Sequence, residues 1–106
     1  MTMESAHPIK LGPLKDIPVG DTKVIKIDNR EILLVHLESG IYALANSCAH
    51  GACRLGYGRL EGETLRCLCH GSVFNVRTGE VLNGPATTPQ PTFRVLVEDG
   101  EITLVP

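Results

Sequence analysis

The segment NSCAHGACRLGYG, Asn46 to Gly58, places Cys48, His50 and Cys53 close together in a stretch too rich in glycine for a helix. A second segment, LRCLCHGSVF, Leu65 to Phe74, repeats the theme with Cys67, Cys69 and His70. All four cysteines of the chain, and two of its four histidines, fall in these two stretches. Two loops that share such residues need a scaffold that brings them together, so the flanking sequence decides the fold.

That flanking sequence reads as strands. TKVIKID and EILLVHLE are β-branched or apolar runs joined at Asp28-Asn29, and IYALANS follows the turn residues Ser39-Gly40. Near the other end TFRVLVE and EITLVP flank Asp99-Gly100, a hairpin signal of the same kind. No segment shows a helical period, and eleven glycines and seven prolines leave little room for a helix of ordinary length. The expected fold is therefore all-β, an antiparallel sandwich or barrel. With no internal repeat, low-complexity tract or linker, residues 1–106 form one domain, in which about Asn46 to Ala86 reads as a loop-rich insertion between β segments. The insertion carries four arginines, no lysine and three glutamates, against an acidic remainder.

Bulk properties narrow the partners. A chain of 106 residues is near the size at which a metal or disulfide helps a modest core. Its formal charge of −2 gives no general attraction for nucleic acid or anionic lipid. The start, MTMESAHPIK, lacks the basic and then apolar pattern of a secretory signal, and no apolar run approaches the roughly 18 residues of a membrane span. A soluble, cytoplasmic protein is expected, in which cysteines serve more often as metal ligands or redox groups than as a disulfide framework.

The spacing is C-x-H at Cys48 and His50, then C-x2-H at Cys67 and His70. Two such pairs suit tetrahedral zinc, which accepts thiolate and imidazole together. They equally suit a two-iron cluster with two thiolates on one iron and two imidazoles on the other. Spacing alone does not choose. Cys53 and Cys69 can also be read as small buried apolar residues. Of the remaining histidines, His36 lies inside an apolar strand and reads as structural, while His7 sits in the N-terminal segment. No flavin fingerprint, substrate pocket or nucleophile with its base is evident.

The pattern Cys48-Ala-His50 with Cys67-x-x-His70, the following His-Gly-Ser and Phe74, and the later Asn83-Gly-Pro-Ala86 resemble the Rieske iron–sulfur family. In length and hairpin layout the whole chain is similar to the small Rieske ferredoxins that feed electrons to ring-hydroxylating oxygenases. The resemblance implies one [2Fe-2S] cluster per chain, with Cys48 and Cys67 on one iron and His50 and His70 on the other. It also implies a small cluster-binding subdomain at about residues 46–86. Cys53 and Cys69 match the disulfide pair of the Rieske subunits of cytochrome bc complexes. Ser72 matches the serine whose hydroxyl bonds a cluster sulfide there, and Phe74 stands in place of a tyrosine, so a second hydroxyl bond is expected to be missing. Gly51 is similar to the ferredoxins, whereas the bc proteins carry leucine beside their quinol site; quinol oxidation is not expected. Gly84, Pro85 and Ala86 are by resemblance the loop shielding the cluster, though an ordinary turn is an equal reading of those residues. Leu55 and Tyr57 are candidates for a docking face or for core packing.

The implied function is electron transfer rather than catalysis. Two thiolates neutralise a cluster of two ferric ions and two sulfides, so neutral imidazoles make it easier to add an electron than four thiolates would. Family potentials lie at about −150 to +300 mV, above the roughly −400 mV of plant-type ferredoxins. The implied partners are a flavin-dependent reductase and a terminal oxygenase. Two alternatives are a Rieske subunit of another redox complex and a zinc or thiol redox-responsive binding module.

Overall fold

The computed structural model describes residues 9–27, 30–47, 54–69, 71–84, 86 and 88–105, with the side chain of Tyr57 left out. Among the described residues ten strands follow one another: β1 (Ile9–Pro13), β2 (Thr22–Ile27), β3 (Arg30–Leu37), β4 (Gly40–Ala45), β5 (Arg59–Glu61), β6 (Thr64–Arg66), β7 (Val73–Asn75), β8 (Val81–Asn83), β9 (Thr92–Glu98) and β10 (Glu101–Val105). Two short 3-10 turns, Leu14–Asp16 and Leu55–Tyr57, are the helical elements among the described residues. The all-β expectation holds.

The strands form two antiparallel sheets. The larger has six strands in the order β1-β10-β9-β4-β3-β2, and the smaller has four in the order β5-β6-β7-β8. Both expected hairpins are present, β2 with β3 and β9 with β10. Asp99 and Gly100 both have positive φ, 54° and 80°, which gives the turn a twist matched to its strands. The Asp28-Asn29 turn lies outside the described residues.

β3 organises the interior. Its run Ile32, Leu33, Leu34, Val35 is buried throughout, which an amphipathic strand would not allow. Because side chains alternate across a strand, both of its faces must be covered. Ile32 and Leu34 pack with Leu11, Ala43, Ile102 and Leu104 in a core within the large sheet. Leu33, Val35 and Leu37 face the other way, into a second core with Leu65, Phe74 and Val76 of the small sheet and its β7–β8 turn. Each fully buried leucine or phenylalanine there contributes about 1.5–3 kcal/mol relative to exposure.

The middle of the chain is more regular than its sequence implies. β5 to β8 lie between β4 and β9, which are themselves neighbours in the large sheet. The chain leaves and returns at one place, where the Ala45 N–H donates to the Pro91 carbonyl at 2.9 Å. Gly79 joins the small sheet to this return segment. Its N–H donates to Asn75 O and its carbonyl accepts from Gln90 N, both at 2.7 Å. With φ of +80° and Gln90 O 2.1 Å from where a Cβ would stand, the position excludes any side chain.

Candidate metal centre

The first loop is closed at its base by a polar clasp. Ser47 and Arg54 form an isolated antiparallel bridge around residues 48–53. Asn46, buried at 1% exposure, holds both arms. Its N–H donates to Glu31 O at 3.0 Å, its carbonyl accepts from Leu55 N at 2.6 Å and its Oδ1 accepts from Gly56 N at 2.8 Å. Glu31 Oε1 accepts from Asn46 Nδ2 at 3.0 Å and from Arg54 Nε at 2.9 Å. Gly56 leaves room for this packing, since a Cβ there would stand 2.8 Å from Val24 Cγ2 and 3.0 Å from Asn46 Oδ1. Behind the loop, the buried Gln90 donates from Nε2 to the carbonyls of Ala45 and Ser47, so the residue before Cys48 is tied to the returning chain.

Glu31 is held below the usual carboxylate range, first by the Asn46 amide and then by Arg54, with Lys26 adding a weaker attraction. A depressed folded-state pKa stabilises the protein above the ordinary carboxylate pKa of about 4.3, and that stabilisation is lost as pH falls through the depressed value. Glu31→Gln is therefore expected to lower stability at neutral pH, with the gap to the parent protein narrowing on acidification. Denaturant midpoints measured from neutral to acid pH test this; a gap that does not change with pH would count against the ionised clasp.

The second loop is a tight hairpin end between β6 and β7. Cys67 N donates to Ser72 O, and Gly71 N donates to Cys67 O, both at 2.8 Å. Gly71 has φ of +83°, which closes the turn. Cys67 is fully buried, a free thiol, and belongs to the second core with Leu55, Leu65, Phe74 and Ala86. Cys69 is exposed and is not a free thiol. The bases of the two loops are held side by side. Gly58, leaving the first, packs so closely on β6 that a Cβ would stand 2.4 Å from Arg66 O, and Arg59 then pairs with Arg66.

The second loop is also joined to Ala86. Ser72 is fully buried, and its Oγ accepts a hydrogen bond from Ala86 N at 3.0 Å. Ala86 is thus pinned to the hairpin.

The described residues bring together Cys67, Ser72, Phe74 and Ala86, all predicted from sequence. Leu55 is buried in the core, which favours packing over docking. His36 is structural, its Nδ1 bonded to the Ile17 carbonyl. Cys48, His50, Gly51, Cys53, His70 and Pro85 lie outside the described residues, as does His7. Sequence reasoning missed Glu31, Asn46, Gly58 and Gln90. Asn46 had a local signal, a turn-forming residue directly before the ligand motif. Gln90 had none, because its partners lie 43 and 45 residues away.

The fold is a small two-sheet β domain with a buried thiol in a hairpin loop, and comparison with known proteins identifies its family. The Rieske [2Fe-2S] domain family matches residues 7–94, so the chain belongs to that family. It is 41% identical over 91 residues to a ferredoxin component of the naphthalene 1,2-dioxygenase/salicylate 5-hydroxylase systems of Ralstonia sp., covering 86% of this chain and 88% of that one. The ferredoxin of carbazole 1,9a-dioxygenase from Nocardioides aromaticivorans IC177 superposes with a TM-score of 0.87 at 28% identity, over 93% of this chain and 97% of that one. A complex of reduced oxygenase and oxidised ferredoxin in carbazole 1,9a-dioxygenase gives 0.88 at 28% identity, over 94% of both chains.

The cofactor of this family is one [2Fe-2S] cluster, and the described residues fit it. Cys67 offers a sulfur in a buried, apolar setting. Ser72 uses its oxygen to accept from Ala86 and so keeps its hydroxyl proton for another acceptor, as bonding to a sulfide requires. Among the described residues no helix is long and apolar enough to cross a membrane.

Proposed function

We propose that the protein is a one-electron carrier that takes an electron from a flavin-dependent reductase and passes it to a terminal ring-hydroxylating oxygenase. Cys48 and Cys67 bind one iron of its cluster and His50 and His70 the other. The observation that carries the reading is the buried free Cys67 at the foot of a hairpin loop, with Ser72 directed between that loop and Ala86. The named ferredoxin relatives favour it over a zinc or thiol module and over a subunit of another redox complex. Residues 46–86 act as the cluster-binding subdomain, and Gly84, Pro85 and Ala86 shield the centre. A Cys53–Cys69 disulfide, supported by Cys69 not being free, ties the two ligand loops together. A cytoplasmic location completes the proposal.

The bound cluster supplies one reversible electron at a potential raised by its neutral imidazoles. The chain does the rest. The clasp and Gln90 fix the first loop, the apolar core keeps water from Cys67, and Ser72 provides a donor that favours the more negative, reduced state.

The visible spectrum and low-temperature paramagnetic signal of the protein purified without added metal test the reading; a colourless protein would overturn it. With the cluster present, Ser72→Ala is expected to lower the potential by some tens of millivolts, since about 1.4 kcal/mol corresponds to roughly 59 mV for one electron. Film voltammetry reads the shift. An unmoved potential would remove Ser72 from the tuning of the centre. Phe74→Tyr, which places a phenol where the chain has a buried ring, is expected to move it the other way.

A further inference from the structure

The outer face of the small sheet is electrically polarised. Its inner face is apolar, with Leu65 and Phe74 in the core and Leu60 packed against it. On the outer face, alternation places Arg59 opposite Arg66 in the row nearest the cysteine loops, and Glu61 opposite Thr64 in the next row, beside the Gly62-Glu63 turn. Both arginines are exposed. Like charges directly opposite across two strands are destabilising. Among the described residues neither arginine pairs with a carboxylate: the ion pairs are Lys23 with Asp16, Arg54 with Glu31 and Arg77 with Glu63. Arg66 immediately precedes Cys67, and its Nη1 reaches toward the Gly71 carbonyl at 3.5 Å, so its charge lies over the second loop.

This cationic row stands out against the rest of the chain. Residues 46–86 hold four arginines and three glutamates, whereas the remainder holds six basic and nine acidic side chains. We infer that Arg59 and Arg66 form a docking face for an acidic surface on a redox partner protein, which settles beside the cysteine loops despite the carrier's net charge of −2. Within a Debye length of about 8–10 Å the local pair outweighs distant charges of the opposite sign, and it steers an acidic partner toward the end where the electron leaves. An unpaired like-charged pair that costs stability alone is stabilised when carboxylates are brought to it. The inference rests on the electron-carrier reading.

The test follows one-electron transfer from the reduced holoprotein to two acceptors, an acidic blue-copper protein and a lysine-rich c-type cytochrome, by stopped flow at rising ionic strength. Each acceptor metal is reduced by one electron as the carrier is oxidised by one. The rate to the acidic acceptor is expected to fall with salt. Arg59→Glu with Arg66→Glu is expected to slow it about tenfold and reverse its salt dependence, within the range that steering supplies. Arg59→Glu alone serves if the double variant does not hold its cluster. Lys15→Glu is the control for net charge. It lies beside the Asp99-Gly100 turn, because Leu14 N bonds Gly100 O, and β9 runs from the loop bases at Thr92 away to that turn. It is expected to leave the rate nearly unchanged. Transfer to the acidic acceptor that quickens with salt, or an equal effect of Lys15→Glu and Arg59→Glu, overturns the docking face alone. A protein that transfers no electron to either acceptor overturns the carrier reading and the docking face with it.

Discussion

Replacing Cys67 by alanine is expected to remove the [2Fe-2S] centre while leaving the β scaffold folded. Cys67 is fully buried in the second core, and alanine keeps that position apolar while taking away the sulfur. Cys67→Ser is expected to do more harm, because it buries a hydroxyl among Leu55, Leu65 and Phe74, at a cost of about 1–3 kcal/mol if unsatisfied. His70→Ala is expected to abolish the native centre as well, since each iron needs two protein ligands beside its two sulfides. Cys69→Ser differs from all of these: it is expected to keep the cluster and loosen it. The proposed Cys53–Cys69 bridge would close a loop of about fifteen residues, worth roughly 3 kcal/mol in the chain-entropy model. Iron and sulfide content with the paramagnetic signal of the reduced protein distinguishes the variants. An unchanged two-iron signal in Cys67→Ala would sink the ligand assignment. Thiol labelling of the denatured, metal-free parent without reductant is expected to find two thiols, mapped to Cys48 and Cys67; four would sink the bridge.

What could be read in the sequence divides along a physical line. The β2–β3 and β9–β10 hairpins were legible because each is local: two runs of strand-forming residues with turn residues between them. The family was legible because cysteine and histidine at fixed spacing carry chemistry in the residue types themselves. β5 to β8 were not. Strands of three residues are too short to show a period, and each puts only one or two side chains into the core, so 46–86 read as loop. The double-sided burial of β3 was also hidden, since a continuous apolar run does not say what covers each face. The clasp that closes the first loop joins Glu31 to Asn46 and Arg54, 15 and 23 residues apart. Such pairings exist only once the large sheet has folded.

Gly58→Ala is expected to cost about 3 kcal/mol and to lower the iron content, although it alters no proposed ligand. The cause is steric. Gly58 has φ of −80° and ψ of −173°, a conformation open to any residue, so the backbone itself would not resist the change. A Cβ there would stand 2.4 Å from Arg66 O and 3.0 Å from Leu55 O, and both atoms are backbone that cannot turn aside. Relief requires the arm leaving the first loop to move off β6, which breaks the Arg59–Arg66 pairing and parts the two loops at their base. Gly62→Ala provides the contrast. Gly62 sits at φ of +60° with nothing within 4 Å of an added Cβ, so it carries only the left-handed penalty of about 1–2 kcal/mol. Urea midpoints and iron per chain should therefore separate the two: Gly62→Ala less stable with full iron, Gly58→Ala depleted in both. If Gly58→Ala kept full iron and the parent midpoint, the close contact with Arg66 could not be what holds the two loops together.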